Sequence, residues 1–200
     1  MENVLFSGTP LRTLPGLVLT PRPATEAVVA VAAELLGGAG GRVADVGTGS
    51  GAIAVAVARR CPDAEVWATD TCAWAVRLAR VNAWHAQVDD RVHVLEGDLL
   101  APVPELLDLV LANLPYLPYA DRALYPELRH EPPSAVFADG DGLGPYRRLL
   151  EAAESKLVED GTVVFQLHRR VLLATRGELA GMRRRLEEFV EPALALPAAA

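Results

Sequence analysis

Three stretches of this 200-residue chain place polar groups where an apolar run stops. The first is DVGTGSGA, Asp45 to Ala52. Its glycines at 47, 49 and 51 let the chain turn sharply and let backbone N–H groups approach a ligand. Gly47, Gly49 and Ala52 satisfy the loose G-x-G-x-x-G/A pattern of dinucleotide binders. The second is Asp70, which follows at the distance where a carboxylate accepts ribose hydroxyls. Asp45 separates two ligand classes: directly ahead of the glycines, a carboxylate repels a pyrophosphate but suits the amino group and sulfonium of S-adenosylmethionine. The third is LVLANLPYLPY, residues 109–119, where an apolar run meets Asn113, two prolines and two tyrosines. A polar amide at the end of a buried strand calls for a reason.

The elements that would position these groups alternate in type. Residues 25–36 read as a helix with Thr25 as its N-cap, stopped by GGAGG at 37–41. Strands are expected at 42–46, 65–70, 91–97, 107–113 and 161–168, and helices at 50–61, 72–86 and 145–158. Such alternation implies right-handed crossovers and a doubly wound, mostly parallel α/β sheet with helices on both faces. Ligands of that architecture sit at the carboxyl ends of the strands, near the point where strand order reverses. Residues 177–190 read as a further helix, and EPALALPAAA at 191–200 is too short and Pro-broken to supply a hairpin. The expected organisation is a single domain, with an N-terminal segment and helix over 1–40, a cofactor-binding core over 41–168 and a C-terminal helix and tail over 169–200.

Several classes are disfavoured. A net charge of −7 and a pI near 5.1 give no global attraction to phosphate backbones. The arginines at 169, 170, 176 and 183–185 read as a solvated helix face rather than a site for an anionic substrate. Cys61 and Cys72 form no C-x-x-C pair, the start MENVLFSGTP has no signal-peptide pattern, and no apolar run is long enough to span a bilayer. The expected location is the cytoplasm, without membrane contact. DGDGLG at 139–144 resembles a calcium loop, yet Leu143 and Leu150 stand where oxygen ligands are needed, and the four histidines share no ligand spacing with the cysteines. No metal site is expected. Ser50 lacks the G-x-S-x-G register of a hydrolase elbow.

DVGTGSGAIAVAVA, ATD at 68–70, GDLL at 97–100 and the strand ending in NLPY together resemble the motifs of class I S-adenosylmethionine-dependent methyltransferases, a Rossmann-like family. LTPRPATE at 19–26 and EPPSAVFADGDGLGPYRRLL at 131–150 are similar to segments of one branch, the release-factor glutamine methyltransferases. The resemblance covers about residues 15–168. It implies that Asp45, Gly47, Thr48, Gly49 and Gly51 line the methionine part of S-adenosylmethionine, that Asp70 holds the ribose, that Asp98 and Leu99 border the adenine, and that Asn113 lies against both cofactor and acceptor.

Methyl transfer from a sulfonium is an in-line displacement, so the task of the protein is to aim a nitrogen lone pair at the methyl carbon. Asn113 is expected to accept an N–H with its side-chain oxygen and Leu114 with its carbonyl, while Pro115 stiffens the loop and Tyr116 supplies a wall. This is a cradle for an amide, amidine or aromatic amine. The chain departs from the glutamine methyltransferases in three places. Leu114 replaces the first proline of N-P-P-Y, as in the rRNA adenine dimethyltransferases; about twenty residues stand where the family has a helical recognition domain; and FQLHRR leaves little for the customary final hairpin. The sequence therefore predicts a methyltransferase shortened at both ends, acting on a planar or amino nitrogen of a small molecule or protein side chain, with a different or smaller acceptor than a release factor. Alternatives are N6-methylation of adenine in RNA, a catalytically silent cofactor- or partner-binding module and, distantly, an NAD-dependent oxidoreductase.

Overall fold

The computed structural model describes residues 2–190. A hairpin opens the chain, β1 (Glu2–Phe6) and β2 (Thr9–Thr13), joined through Ser7 and Gly8, both at positive φ. The sequence predicts only an N-terminal segment here, with no strand. Pro10 is tolerated because the hairpin stands apart from the main sheet and its strands have free edges. Phe6 and Leu11, each 1% exposed, carry the hairpin onto the core.

There follow α1 (Glu26–Leu36), β3 (Gly41–Val46), α2 (Ala52–Arg60), β4 (Ala64–Asp70), α3 (Ala73–His85), β5 (Val92–Glu96) and β6 (Leu107–Ala112). The remainder comprises the short β7 (Leu117–Pro118) and β8 (Phe137–Ala138), then α4 (Gly144–Lys156), β9 (Leu157–Leu167), β10 (Arg170–Thr175) and α5 (Leu179–Arg185). The main sheet has the order β10-β9-β6-β3-β4-β5 and is parallel except for β10. The expected fold class is the one observed.

Strand alternation sorts the core into two layers. Val43, Leu109 and Leu111 point into the cluster formed with α1, α2 and α3. Ala44, Val46, Val110 and Ala112 point into the cluster formed with α4 and α5, around Tyr146, Leu149 and Phe165. The chain runs β3, β4, β5 in one direction across the sheet and then returns to place β6 on the other side of β3. That reversal leaves a crevice between β3 and β6 at their carboxyl ends, where open α/β sheets bind ligands.

Two expectations change. The sequence reading left little chain for a final hairpin, yet β10 pairs antiparallel with β9 from Arg170↔Leu167 to Thr175↔Thr162. The connection is the pair His168–Arg169, with His168 at φ 55. Glycine, asparagine or aspartate normally announces such a turn, and none stands at either position. The predicted helix at 177–190 is shorter, with α5 between a turn at Arg176–Glu178 and another at Leu186–Phe189. The expectation for EPALALPAAA lies outside the described residues. No helix among the described residues is long and apolar enough to cross a membrane.

Candidate active site

The glycine loop leaves β3 at Val46, which pairs with Ala112, the last residue of β6. This register puts Gly47 beside Asn113 and Leu114, 66 and more positions away in sequence. The approach is close: a Cβ on Gly47 would stand 2.6 Å from Leu114 Cδ2, and Gly47 has φ +68. Only glycine meets both conditions. The loop is pinned from the next strand, where Thr69 O accepts from Thr48 N at 2.9 Å and Asp70 Oδ2 accepts from Gly49 N at 2.9 Å. Asp70 Oδ1 accepts from Cys72 N at 2.9 Å as the chain enters α3. Desolvation raises the Asp70 carboxyl above its ordinary value, against these hydrogen bonds.

One cavity runs from the end of β5 to the end of β6. Gly47, Thr48, Gly49, Asp70, Asp98, Leu99, Asn113, Leu114 and Pro115 line it, as the sequence predicts. Three other expected site residues do not. Asp45 is fully buried and shares the inner face with Val43; its Oδ2 accepts from Thr48 Oγ1 at 2.6 Å and from Ala54 N at 3.0 Å. It holds the glycine loop to the start of α2 instead of facing the cavity. Gly51, at φ +81, lies where a Cβ would meet the Ala79 backbone at 3.1 Å, so it serves the packing of α2 on α3. Tyr116 turns its ring to His168, with centroids 4.7 Å apart.

Burial pushes the Asp45 carboxyl from 3.8 up to about 6, outweighing the hydrogen bonds from Thr48 and Ala54, and Asp70 adds to the rise. The folded chain thus holds this proton more tightly than the unfolded chain. The resulting stabilisation is complete below about pH 4 and is lost as pH rises through about 6, some 3 kcal/mol in all. Asp45→Asn keeps an acceptor for Thr48 and Ala54 but cannot ionise. Its melting temperature, relative to that of the unaltered chain, is expected to climb between about pH 4 and pH 7. Thermal melts across that range check this, and an offset independent of pH would contradict it.

The Asn113 end is supported by residues that sequence reading missed or placed in other roles. Thr25 precedes α1 as expected, but its side chain makes no cap hydrogen bond; its Oγ1 accepts from Asn113 Nδ2 at 3.1 Å. Tyr146 of α4, fully buried, receives Leu114 N–H on its hydroxyl at 3.0 Å and reaches Gln166 O at 2.5 Å. Burial keeps that phenol protonated. Gly142, read earlier as part of a failed calcium loop, passes against the backbone carbonyl of Tyr116, where a Cβ would come within 2.2 Å of the oxygen. Neighbouring Asp141 ties to Arg147 at 2.6 Å.

The mouth is closed by segments distant in sequence. Glu131 accepts from Thr20 N at 3.2 Å and from Arg22 Nη2 at 2.9 Å, joining the segment ahead of α1 to the one ahead of β8. At the other end Arg148 of α4 pairs with Asp98 at 2.8 Å, and both line the cavity. Three of the C-terminal arginines are held by acids or carbonyls: Arg183 by Glu151, Arg185 by Glu188 and Arg176 by Glu154 O. Among the described residues no group of three His, Cys, Asp or Glu side chains converges as metal ligands would.

The profile of the methyltransferase small domain matches residues 23–125, from the turn before α1 to beyond NLPY. The chain belongs to the methyltransferase small domain family. Within it, this member is 44% identical over 154 residues to the release factor glutamine methyltransferase of Gloeobacter violaceus, covering 75% of this chain and 54% of the relative. It is 44% identical to that of Deinococcus radiodurans, covering 76% and 55%. It therefore spans about half the length of these relatives. The crystal structure of a ribosomal protein L11 methylase from Lactobacillus delbrueckii subsp. bulgaricus shares the fold, with a TM-score of 0.57 at 24% identity, over 89% of this chain and 74% of that one.

Proposed function

We propose that the chain is an S-adenosylmethionine-dependent N-methyltransferase whose acceptor is a side-chain carboxamide, the glutamine of a release factor. One observation carries this reading. The parallel pairing of β3 with β6 sets a glycine loop backed by an acidic strand end directly beside an amide and a carbonyl, in a single cavity. The cofactor fits the first half. Gly47, Thr48 and Gly49 present backbone to the cavity, Asp70 offers carboxylate oxygens for ribose hydroxyls, and Leu99 and Ala75 give apolar walls toward Asp98. Bound S-adenosylmethionine supplies an electrophilic methyl carbon.

The second half treats the acceptor. Asn113 Oδ1 and Leu114 O accept the two hydrogens of a primary amide, which fixes the plane of its nitrogen and presents the lone pair at right angles to that plane. The same two oxygens stabilise the positive charge that develops on nitrogen, so electrostatics and orientation do the work that a strong base does elsewhere. Leu114 is held beside the loop because its N–H donates to the Tyr146 hydroxyl at 3.0 Å, that hydroxyl also lies 3.2 Å from Leu114 O, and Gly47 leaves room for its side chain. Names of the relatives at 44% identity favour a protein side chain over a small molecule as acceptor, and a release-factor glutamine over the different or smaller acceptor that the sequence departures suggest.

The test is transfer of labelled methyl groups to a purified release factor, with mass spectrometry to locate the label. Gain of one methyl mass on a glutamine, at catalytic enzyme levels, is expected. Label on adenine of an added RNA, or on neither substrate, would overturn the assignment.

A further inference from the structure

The side chain of Asn113 has two ends, and only one serves the reaction proposed above. Its oxygen accepts an N–H, whereas its amino group would meet the hydrogens of the acceptor nitrogen donor to donor. The two orientations differ by a half-turn and occupy almost the same volume, so packing alone does not choose between them. A hydroxyl both donates and accepts, so a hydrogen bond to one does not choose by chemical type either, but it fixes the plane and place of the amide. Asn113 Nδ2 donates to Thr25 Oγ1 at 3.1 Å, across 88 positions of sequence. Among the described residues no donor meets Asn113 Oδ1, which leaves that oxygen for a ligand in the cavity that both residues line.

Thr25 is built to stay where it is. It is 5% exposed, and its N–H donates to Arg22 O at 2.9 Å, closing the turn Pro23–Thr25 in which Pro23 fixes the first φ. A β-branched side chain is restricted about χ1, which leaves its hydroxyl few places to occupy. The position is also one where threonine ordinarily caps the helix behind it, yet no cap hydrogen bond forms. The hydroxyl oxygen is directed to Asn113 instead.

We propose that Thr25 is a positioning residue that holds the plane and place of the Asn113 amide, so that with Nδ2 on the Thr25 hydroxyl its Oδ1 faces the acceptor. This rests on the N-methyltransferase reading. Loss of the hydroxyl removes one neutral hydrogen bond and leaves the amide free to turn, which abolishes the acceptor geometry without touching the cofactor half of the cavity.

The experiment compares Thr25→Val and Thr25→Ser with the unaltered chain. Thr25→Val is expected to lower kcat for methyl transfer to the release factor on the order of 10- to 100-fold, with the calorimetric Kd for S-adenosylmethionine within about twofold. Thr25→Ser is expected to recover most of that loss. A second readout needs no turnover: in 15N spectra the Asn113 side-chain amide, assigned by its absence in Asn113→Ala, should show one slowly exchanging proton that Thr25→Val loses and Thr25→Ser keeps. Thr25→Ala carries the same expectations if the valine chain does not fold. Unchanged kcat in the valine chain, or identical amide exchange in all of the chains, would overturn the proposal. If the unaltered chain methylates no release factor, the functional reading fails while the amide exchange still decides the role of Thr25.

Discussion

Asn113→Ala is expected to lower kcat on the order of 100- to 1000-fold while the affinity for S-adenosylmethionine changes by less than about threefold. The side chain is held at one end by Thr25 and follows the last residue of β6 directly, so its place is set by the sheet and by α1 together. Removing it takes away one of two oxygens that orient the acceptor, and also the charge stabilisation that this oxygen gives as nitrogen becomes positive. The cofactor half depends on other groups: the glycine loop and Asp70 keep every hydrogen bond described for them, and Leu99 O keeps the one it accepts from Thr69 Oγ1 at 2.8 Å. Stopped-flow or steady-state transfer kinetics beside calorimetry separate the two effects. A variant that lost cofactor affinity in proportion to turnover would place Asn113 in the cofactor site alone and remove the cradle from the mechanism.

Asp70→Ala is expected to act on the other half, weakening S-adenosylmethionine on the order of 100-fold. Two contributions add. A carboxylate that accepts from a hydroxyl makes one of the stronger hydrogen bonds, and the same carboxylate accepts from Gly49 N and Cys72 N, so its loss also removes one of the two hydrogen bonds that pin the loop to β4. Asp70→Asn keeps the shape and one acceptor oxygen, and about a tenfold loss is expected. Calorimetric titration of the three chains with S-adenosylhomocysteine gives the comparison directly. Affinity within threefold of the unaltered chain for Asp70→Ala would show that the ribose is not held there.

The carboxyl ends of the five parallel strands of the main sheet, and the polar residues that stand there, were legible in the sequence to within one residue. Apolar runs, strand and helix periods and the glycines after β3 are local signals, and they located Gly47, Asp70, Asp98 and Asn113 on the correct elements. They also gave the doubly wound architecture, since strand and helix alternate. What local signals omit is the neighbour of each strand and the direction of each side chain. Only the pairing of Val46 with Ala112 brings Gly47 to Leu114, because strand order depends on packing between segments far apart in the chain. Asp45 was assigned to the cofactor from its place ahead of the glycines. The strand period puts it on the face shared with Val43, and the packing of α2 on that face turned it into a buried anchor for the loop. The final hairpin stayed hidden because His168 adopts a left-handed turn without a residue type that favours one. Thr25 looked like an ordinary cap from its sequence alone. Folding of α1 against the end of β6 gave its hydroxyl a different partner, and that contact between segments 88 residues apart is a property of the tertiary structure only.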